Sequence, residues 1–259
     1  MCTVVAAFGL HAASPLVVLA NRDEFLGRPS LPPRVIDPDA GIVGGVDATA
    51  HGTWLGVTRR GFLVAVTNQH TATPPDPHKA SRGQLVLELL REGDPEAARA
   101  RLASLDVRAF NPFNVLFGDT RSLFVGYARD LAAATIEPLT RGLHVLANDR
   151  IGSPRYPKAA RALSLVEPVL SEPLDRLEGE LARVLGDHAV PPPSALPAST
   201  LPPALARAIQ ALCIHTEHYG TRSSSFVALG PAPGTPPLRY LFADGPPCTT
   251  PFVDCTALF

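Results

Sequence analysis

Cys2 follows the initiator methionine directly, so removal of Met1 would leave a cysteine as the first residue. A terminal cysteine carries a nucleophile and a base on one residue. Its α-amine titrates at about 7.7 to 8.0, close to working pH, and can take the thiol proton directly or through one water. No separate histidine is needed. The alternative is a small residue at the start of a strand, buried and inert as most free cysteines are.

Such a nucleophile needs charge around the sulfur and donors for an oxyanion. Asn21-Arg22-Asp23-Glu24 ends the second of two strand-like segments, and a hairpin between them returns that end to residue 2. Arg22 there favours thiolate, and a carboxylate, Asp23 or in its place Glu24, can hold the terminal ammonium. Asn68 ends Ala-Val-Thr-Asn and Asn148 ends His-Val-Leu-Ala-Asn. Amides at strand ends can donate to the charge that develops in acyl transfer, although asparagine is also an ordinary turn former. Arg222, within His218 to Ser225, adds a guanidinium on a loop beside the last strand pair. The residues at 21 to 24 suit a solvated turn with an ion pair equally well.

The elements that must position these residues follow from pattern. Thr3 to Phe8 and Pro15 to Asn21 read as a hairpin, and Trp54 to Thr58 with Phe62 to Asn68 repeat it around Arg59-Arg60-Gly61. From Arg82 to Leu105 the spacing is helical, with Asp94-Pro95 as cap and first-turn proline of a second helix. Strands return at Phe113 to Phe117, Leu123 to Tyr127 and His144 to Asn148. Leucines at 163, 165, 170, 174, 177, 181 and 185 mark a second helical region after Pro157, and strands at Ser224 to Leu229 and Leu238 to Phe242 follow. Residues 190–203 are Pro-rich without apolar period and read as an extended surface loop. Clustered strands alternating with helix pairs predict an α+β layered sandwich, and a length of 259 residues suits one domain over 1–259.

Composition narrows the function. A net charge of −1 leaves no basic field for a polyanion, so no nucleic-acid partner is expected. Cys2, Cys213, Cys248 and Cys255 are too few and scattered for a disulfide framework and form no close zinc-type pair in sequence, so no metal site is expected. No apolar run approaches the roughly 18 residues of a membrane span, and the first apolar stretch is broken by Gly9, His11 and Pro15 without a basic lead. A cytoplasmic location is the expectation. Gly41-Ile-Val-Gly-Gly makes a poor nucleotide fingerprint, since no helix follows it. His215-Thr-Glu217 with Pro247-Cys248 approaches a zinc deaminase signature, but the next cysteine is Cys255 rather than one two residues beyond, and that chemistry is rejected.

The ordered motifs Met1-Cys2, Ala20-Asn-Arg-Asp-Glu-Phe25, Arg28-Pro29, Gly52-Thr-Trp-Leu-Gly56, Thr67-Asn68, Arg82-Gly83-Gln-Leu-Val86, Phe113-Asn114, Leu146-Ala-Asn148 and Tyr219-Gly-Thr-Arg222 run nearly end to end. Through them the chain resembles the NRDE family, also called the transport and Golgi organisation protein 2 family. The resemblance implies an N-terminal-nucleophile hydrolase fold, a four-layer αββα sandwich. More distantly the chain is similar to penicillin V acylase and bile-salt hydrolase, in which an N-terminal cysteine cleaves linear amides through a thioester.

Carried over, that likeness makes Cys2 the nucleophile, Asn68 and Asn148 oxyanion or orienting groups, and Arg222 a support for the thiolate. Arg22 and Asp23 carry over less directly, because the acylases have Arg-Asn-x-Asp where this chain has Asn-Arg-Asp-Glu, and a one-residue slip in a strand reverses faces. Family members commonly show Gly-Gly before Thr-Trp, where this chain has His51-Gly52. The expected ligand is a small-molecule amide or acyl compound, and hydrolysis needs no cofactor. The family's link to haem and acyl-lipid handling supports an alternative, a non-catalytic carrier using the same pocket, with axial ligands drawn from histidines 11, 51, 70, 78, 144, 188, 215 and 218.

Overall fold

The computed structural model describes residues 2–71, 74–129, 131–196, 199 and 201–259. The chain opens with the hairpin β1 (Cys2–Phe8) and β2 (Leu16–Phe25), followed by the antiparallel run β3 (Ser30–Asp37), β4 (Ile42–Asp47), β5 (Leu55–Thr58) and β6 (Leu63–Asn68). Helices α1 (Arg82–Arg91) and α2 (Pro95–Ser104) precede β7 (Phe113–Gly118), β8 (Leu123–Ala128), β9 (Thr135–Leu139) and β10 (Gly142–Leu146). Then come α3 (Pro157–Val166), α4 (Leu174–Leu185), the short α5 (Pro203–Ala208), and β11 (Tyr219–Ala228), β12 (Arg239–Ala243) and β13 (Val253–Asp254).

Two antiparallel sheets result. One has the order β10-β1-β2-β11-β12-β13, the other β3-β4-β5-β6-β7-β8-β9. Alternation along each strand sends one face inward and the other toward helices. Val4, Ala6, Val18 and Ala20 meet Leu55, Val57, Leu63 and Val125 between the sheets. The opposite face of the first sheet, with Val5, Val17 and Leu19, packs on Leu177, Leu181 and Leu185 of α4. Leu85, Leu89 and Leu90 of α1 and Leu102 of α2 cover the second sheet. The layers are helix, sheet, sheet, helix: a four-layer αββα sandwich, as expected.

Local chemistry sets the helix boundaries. The Asp94 carboxylate accepts from Glu96 and Ala97 N–H ahead of Pro95, as the Asp-Pro pair predicts, and Ser81 accepts from Gln84 N–H to start α1.

Several elements differ from the sequence reading. Asn21-Arg22-Asp23-Glu24 closes the second strand as expected, but as a paired part of β2 that runs on to Phe25 rather than as a solvated turn, with Asn21, Arg22 and Asp23 only 0%, 4% and 1% exposed. Arg222 is within β11 rather than on a loop. Strands β3, β4 and β9 had no expectation: Pro32, Pro33 and Pro138 argue against strand, yet prolines are tolerated in the outermost strands, where β3 and β9 lie. Gly41-Ile-Val-Gly-Gly runs into β4, with no helix after it. The described part of 190–203 joins no sheet and holds one short turn at Pro193–Ala195, while Pro197, Ala198 and Thr200 lie outside the described residues.

The Gly52 and Gly83 motifs have one explanation. A Cβ on Gly52 would meet the Gly83 carbonyl carbon at 2.3 Å, and Thr53 N–H donates to Gly83 O at 3.1 Å, so two backbones touch where α1 begins. His51 beside it holds φ at 55°, the left-handed region that disfavours side chains. Relief of about 1 to 2 kcal/mol of strain outweighs the added freedom of the unfolded chain, about 0.5 to 1 kcal/mol. His51→Gly is therefore expected to raise stability by about 0.5 to 1 kcal/mol in urea melts, with the slope unchanged.

Candidate functional site

The β1–β2 register sets Cys2 opposite Arg22 and Thr3 opposite Asn21. Side chains on these strands alternate, so Cys2 and Arg22 share the face turned toward the second sheet while Asn21 and Asp23 share the face turned toward the helices. The two faces do different work.

On the inner face, Cys2 and Arg22 line a cleft of about 300 Å³ with Glu24, Trp54, Asn68 and Arg82. Arg22 lies over the Trp54 ring, 4.5 Å from its centroid, and its Nη2 donates to Asp47 Oδ2 at 3.3 Å. Asp47 also accepts from Arg28 Nε at 2.7 Å and from the Thr49 and Ala50 N–H groups, and these bonds outweigh burial to hold its carboxyl below the usual carboxylate range. The other arm of the guanidinium, Nη1, is buried with no hydrogen-bond partner among the described residues. Asn68 presents a side-chain amide that bonds no described residue, its backbone carbonyl accepting from Asn148 Nδ2 at 2.6 Å. Arg82, at the start of α1, completes the wall.

Burial pushes the Cys2 thiol up; the negative charge of Asp23 adds to this, and Arg22 together with the Asp23 backbone N–H pulls it back. The resting sulfur is thus a thiol whose proton must be taken during attack. Arg22→Ala is expected to raise the thiol pKa further and to slow alkylation at pH 8 by about tenfold, in step with the thiolate lost. Peptide mass mapping of Cys2 after timed alkylation reads this, and an unchanged rate would separate Arg22 from the sulfur.

On the helix-facing side, Asp23 is enclosed. Its Oδ1 accepts from Thr221 Oγ1 at 2.7 Å, and Oδ2 lies 3.7 Å from Lys158 Nζ of α3, both side chains fully buried. Burial raises the Asp23 pKa, with Lys158 and the Thr221 hydroxyl pulling it down. Asn21 is a tie rather than a reactive group: Nδ2 donates to Leu185 O and Leu212 O at 2.9 and 2.8 Å, and Oδ1 accepts from Ser224 Oγ. The one-residue slip is resolved by the register: Glu24, not Asp23, shares the cleft with Cys2, while Asp23 sits one step past Arg22 on the opposite face.

Asn148 is fully buried, and its amide holds the Asn68 backbone in place instead of lining the cleft. A second buried asparagine joins the same strand ends, with Asn114 Nδ2 donating to Thr67 Oγ1 at 3.0 Å and to Ala147 O at 3.3 Å. Arg222 occupies a β-bulge between Thr221, opposite Asp23, and Ser223, opposite Arg22. Its Nε is buried with no hydrogen-bond partner among the described residues, and it does not line the cleft. Met1 lies outside the described residues.

A family profile described as Transport and Golgi organisation 2 matches residues 1–232. The chain belongs to that family. The mouse homolog of this family is 28% identical over 247 residues, covering 88% of each chain, and the human homolog is 28% identical over 246. Among solved structures, penicillin V acylase from Agrobacterium tumefaciens superposes with a TM-score of 0.58 at 13% identity over 98% of this chain and 86% of its own. A mutant of conjugated bile acid hydrolase from Clostridium perfringens gives 0.56 at 10% over 99% and 93%. The Caenorhabditis elegans N-acylethanolamine-hydrolyzing acid amidase ortholog gives 0.54 at 12% over 88% and 92%.

In this Transport and Golgi organisation 2 chain, sequence reasoning passed over Lys158, Thr221, Arg82 and Asp47. A lysine or arginine in a first helical turn reads as solvated, and Arg82 and Thr221 were signalled only as parts of Arg82-Gly83-Gln-Leu-Val86 and Tyr219-Gly-Thr-Arg222. Among the described residues no helix is long and apolar enough to cross a membrane.

Proposed function

We propose that the Cys2 cleft hydrolyses linear amides through a thioester. The observation that carries this reading is one nucleophile sharing a cleft with two unengaged donors, Arg22 Nη1 and the Asn68 amide. The Cys2 sulfur attacks the carbonyl carbon while its proton passes to the free α-amine of a Cys2 exposed by loss of Met1. The oxyanion takes hydrogen bonds from Asn68 and Arg22. The C–N bond then breaks, the amine leaves with the proton, and water cleaves the thioester to release the acid. Asn148 and Asn114 fix the strand ends that present Asn68, and Asp23 steadies the far side of β2. Arg222 acts through the bulge that shapes β11 beside Arg22. Likeness to proteins named as an acylase, a bile acid hydrolase and an acid amidase supports the reaction class.

The test is intact-mass spectrometry of the full chain after brief incubation with N-acyl amides and acid quench. The expected result is loss of Met1 and an acyl adduct on Cys2. A retained Met1, or no adduct across short and long acyl chains, defeats the reading. Binding without adduct or turnover would indicate an acyl carrier. None of the chain's eight histidines lines this cleft, so a haem carried there would have to take its axial ligand from Cys2.

A further inference from the structure

Away from the cleft, four side chains distant in sequence converge. His188 follows α4, Cys213 and His215 precede β11, and Cys248 lies in the turn after β12. One ligand atom from each lies within 4.8 Å of all the others. Cys213 Sγ is 3.7 Å from Cys248 Sγ and 3.5 Å from His215 Nε2, and His215 Nε2 is 3.2 Å from Cys248 Sγ. Bonds of about 2.3 Å to sulfur and about 2.0 to 2.1 Å to nitrogen, at tetrahedral angles, place two sulfurs about 3.8 Å apart and sulfur from nitrogen about 3.6 Å apart. The Cys213 distances match that spacing, and the His215–Cys248 distance falls a little inside it. The His188 ring sits 5.0 Å from that of His215, and its Nδ1 lies 3.2 Å from the Cys213 carbonyl, the outer contact by which a ligating imidazole is commonly oriented through its second nitrogen.

We propose that His188, Cys213, His215 and Cys248 bind one zinc ion in a closed structural site. Two thiolates and two imidazoles in a tetrahedral array select zinc, and four protein ligands leave no open position for catalysis. Each cysteine gives up its proton to solvent on binding. His188, His215 and Cys248 are exposed, so the ion has an entry path. Spacing along the sequence offers no zinc-type pair, whereas the fold brings together cysteines that are 35 positions apart. The near match to a deaminase motif also gains a different meaning, because His215 and Cys248 do meet while Glu217 points to solvent against His218.

The site clamps the segments beneath the NRDE strand. Leu212, next to Cys213, accepts from Asn21, and Ile214 N–H donates to Thr221 Oγ1, which in turn donates to Asp23.

The full chain, reduced, stripped with chelator and titrated with Zn²⁺ and with Co²⁺, is expected to bind one equivalent, with thiolate-to-cobalt charge-transfer and tetrahedral d–d bands. Cys248→Ser and His188→Ala, both at exposed positions, should each weaken Zn²⁺ binding more than about a hundredfold, beyond the loss typical of an outer-shell partner. Cys2→Ala should bind normally, which separates this proposal from the hydrolase reading. Failure of the reduced protein to bind Zn²⁺, wild-type affinity in both variants, or a Cys213–Cys248 disulfide that reforms in preference to metal uptake would each overturn it.

Discussion

Cys2→Ala is expected to lower amide turnover by at least about a thousandfold, because removal of a covalent nucleophile leaves only binding and oxyanion stabilisation. The substitution trims one sulfur at the end of a strand, so unfolding by urea should stay close to that of the native chain. The pH profile should separate the base from the nucleophile. Activity is expected to rise with pH as the α-amine loses its proton near its ordinary range of about 7.7 to 8.0. Protein that keeps Met1, made by blocking the aminopeptidase, should lose turnover while its Cys2 thiol still alkylates. Comparable turnover in the Cys2→Ala protein would transfer any activity to another group and end the reading.

Lys158→Met is expected to cost about 3 to 5 kcal/mol, the loss typical when one member of a buried ion pair is removed. Both charges are fully enclosed, and Lys158 sits in the first turn of α3, where the helix dipole disfavours a cation, so Asp23 is its main compensation. The double variant Asp23→Asn with Lys158→Met keeps an acceptor for Thr221 and removes both charges. It should lie within about 2 kcal/mol of the native chain. Because the Asp23 pKa is raised in the folded state, its stabilising share is largest at acid pH and is lost as pH rises through that folded value. Removing Lys158 raises it further, so the Lys158→Met penalty should be greatest near neutrality and shrink in acid. A single-variant cost below about 1 kcal/mol would mean that the pair contributes no more than a solvent-exposed one.

Much of the frame was legible because apolar alternation is a local signal. The β1–β2 hairpin, the β5–β6 hairpin and the two helices capped at Ser81 and Asp94 follow from nearby residues alone. Strands β3 and β9 were not legible, since local proline content opposes strand and only their place at a sheet border permits it. In the site, the motif residues marked the right strand, but which face each presents depends on register. That is why Glu24 and Asp23 could be distinguished only once Cys2 was paired with Arg22. Lys158 and the His188, Cys213, His215 and Cys248 group were hidden for a related reason. Their partners are distant in sequence, and no spacing rule connects them.

The prolines of β3 and β9 also bear on solubility. One border strand of the seven-stranded sheet contains Pro32 and Pro33 and the other contains Pro138, and a proline has no amide donor to offer a further strand. A foreign strand laid along either border would leave carbonyls unmatched, so the sheet resists lengthening by recruitment of neighbouring molecules, a common first step toward fibrils.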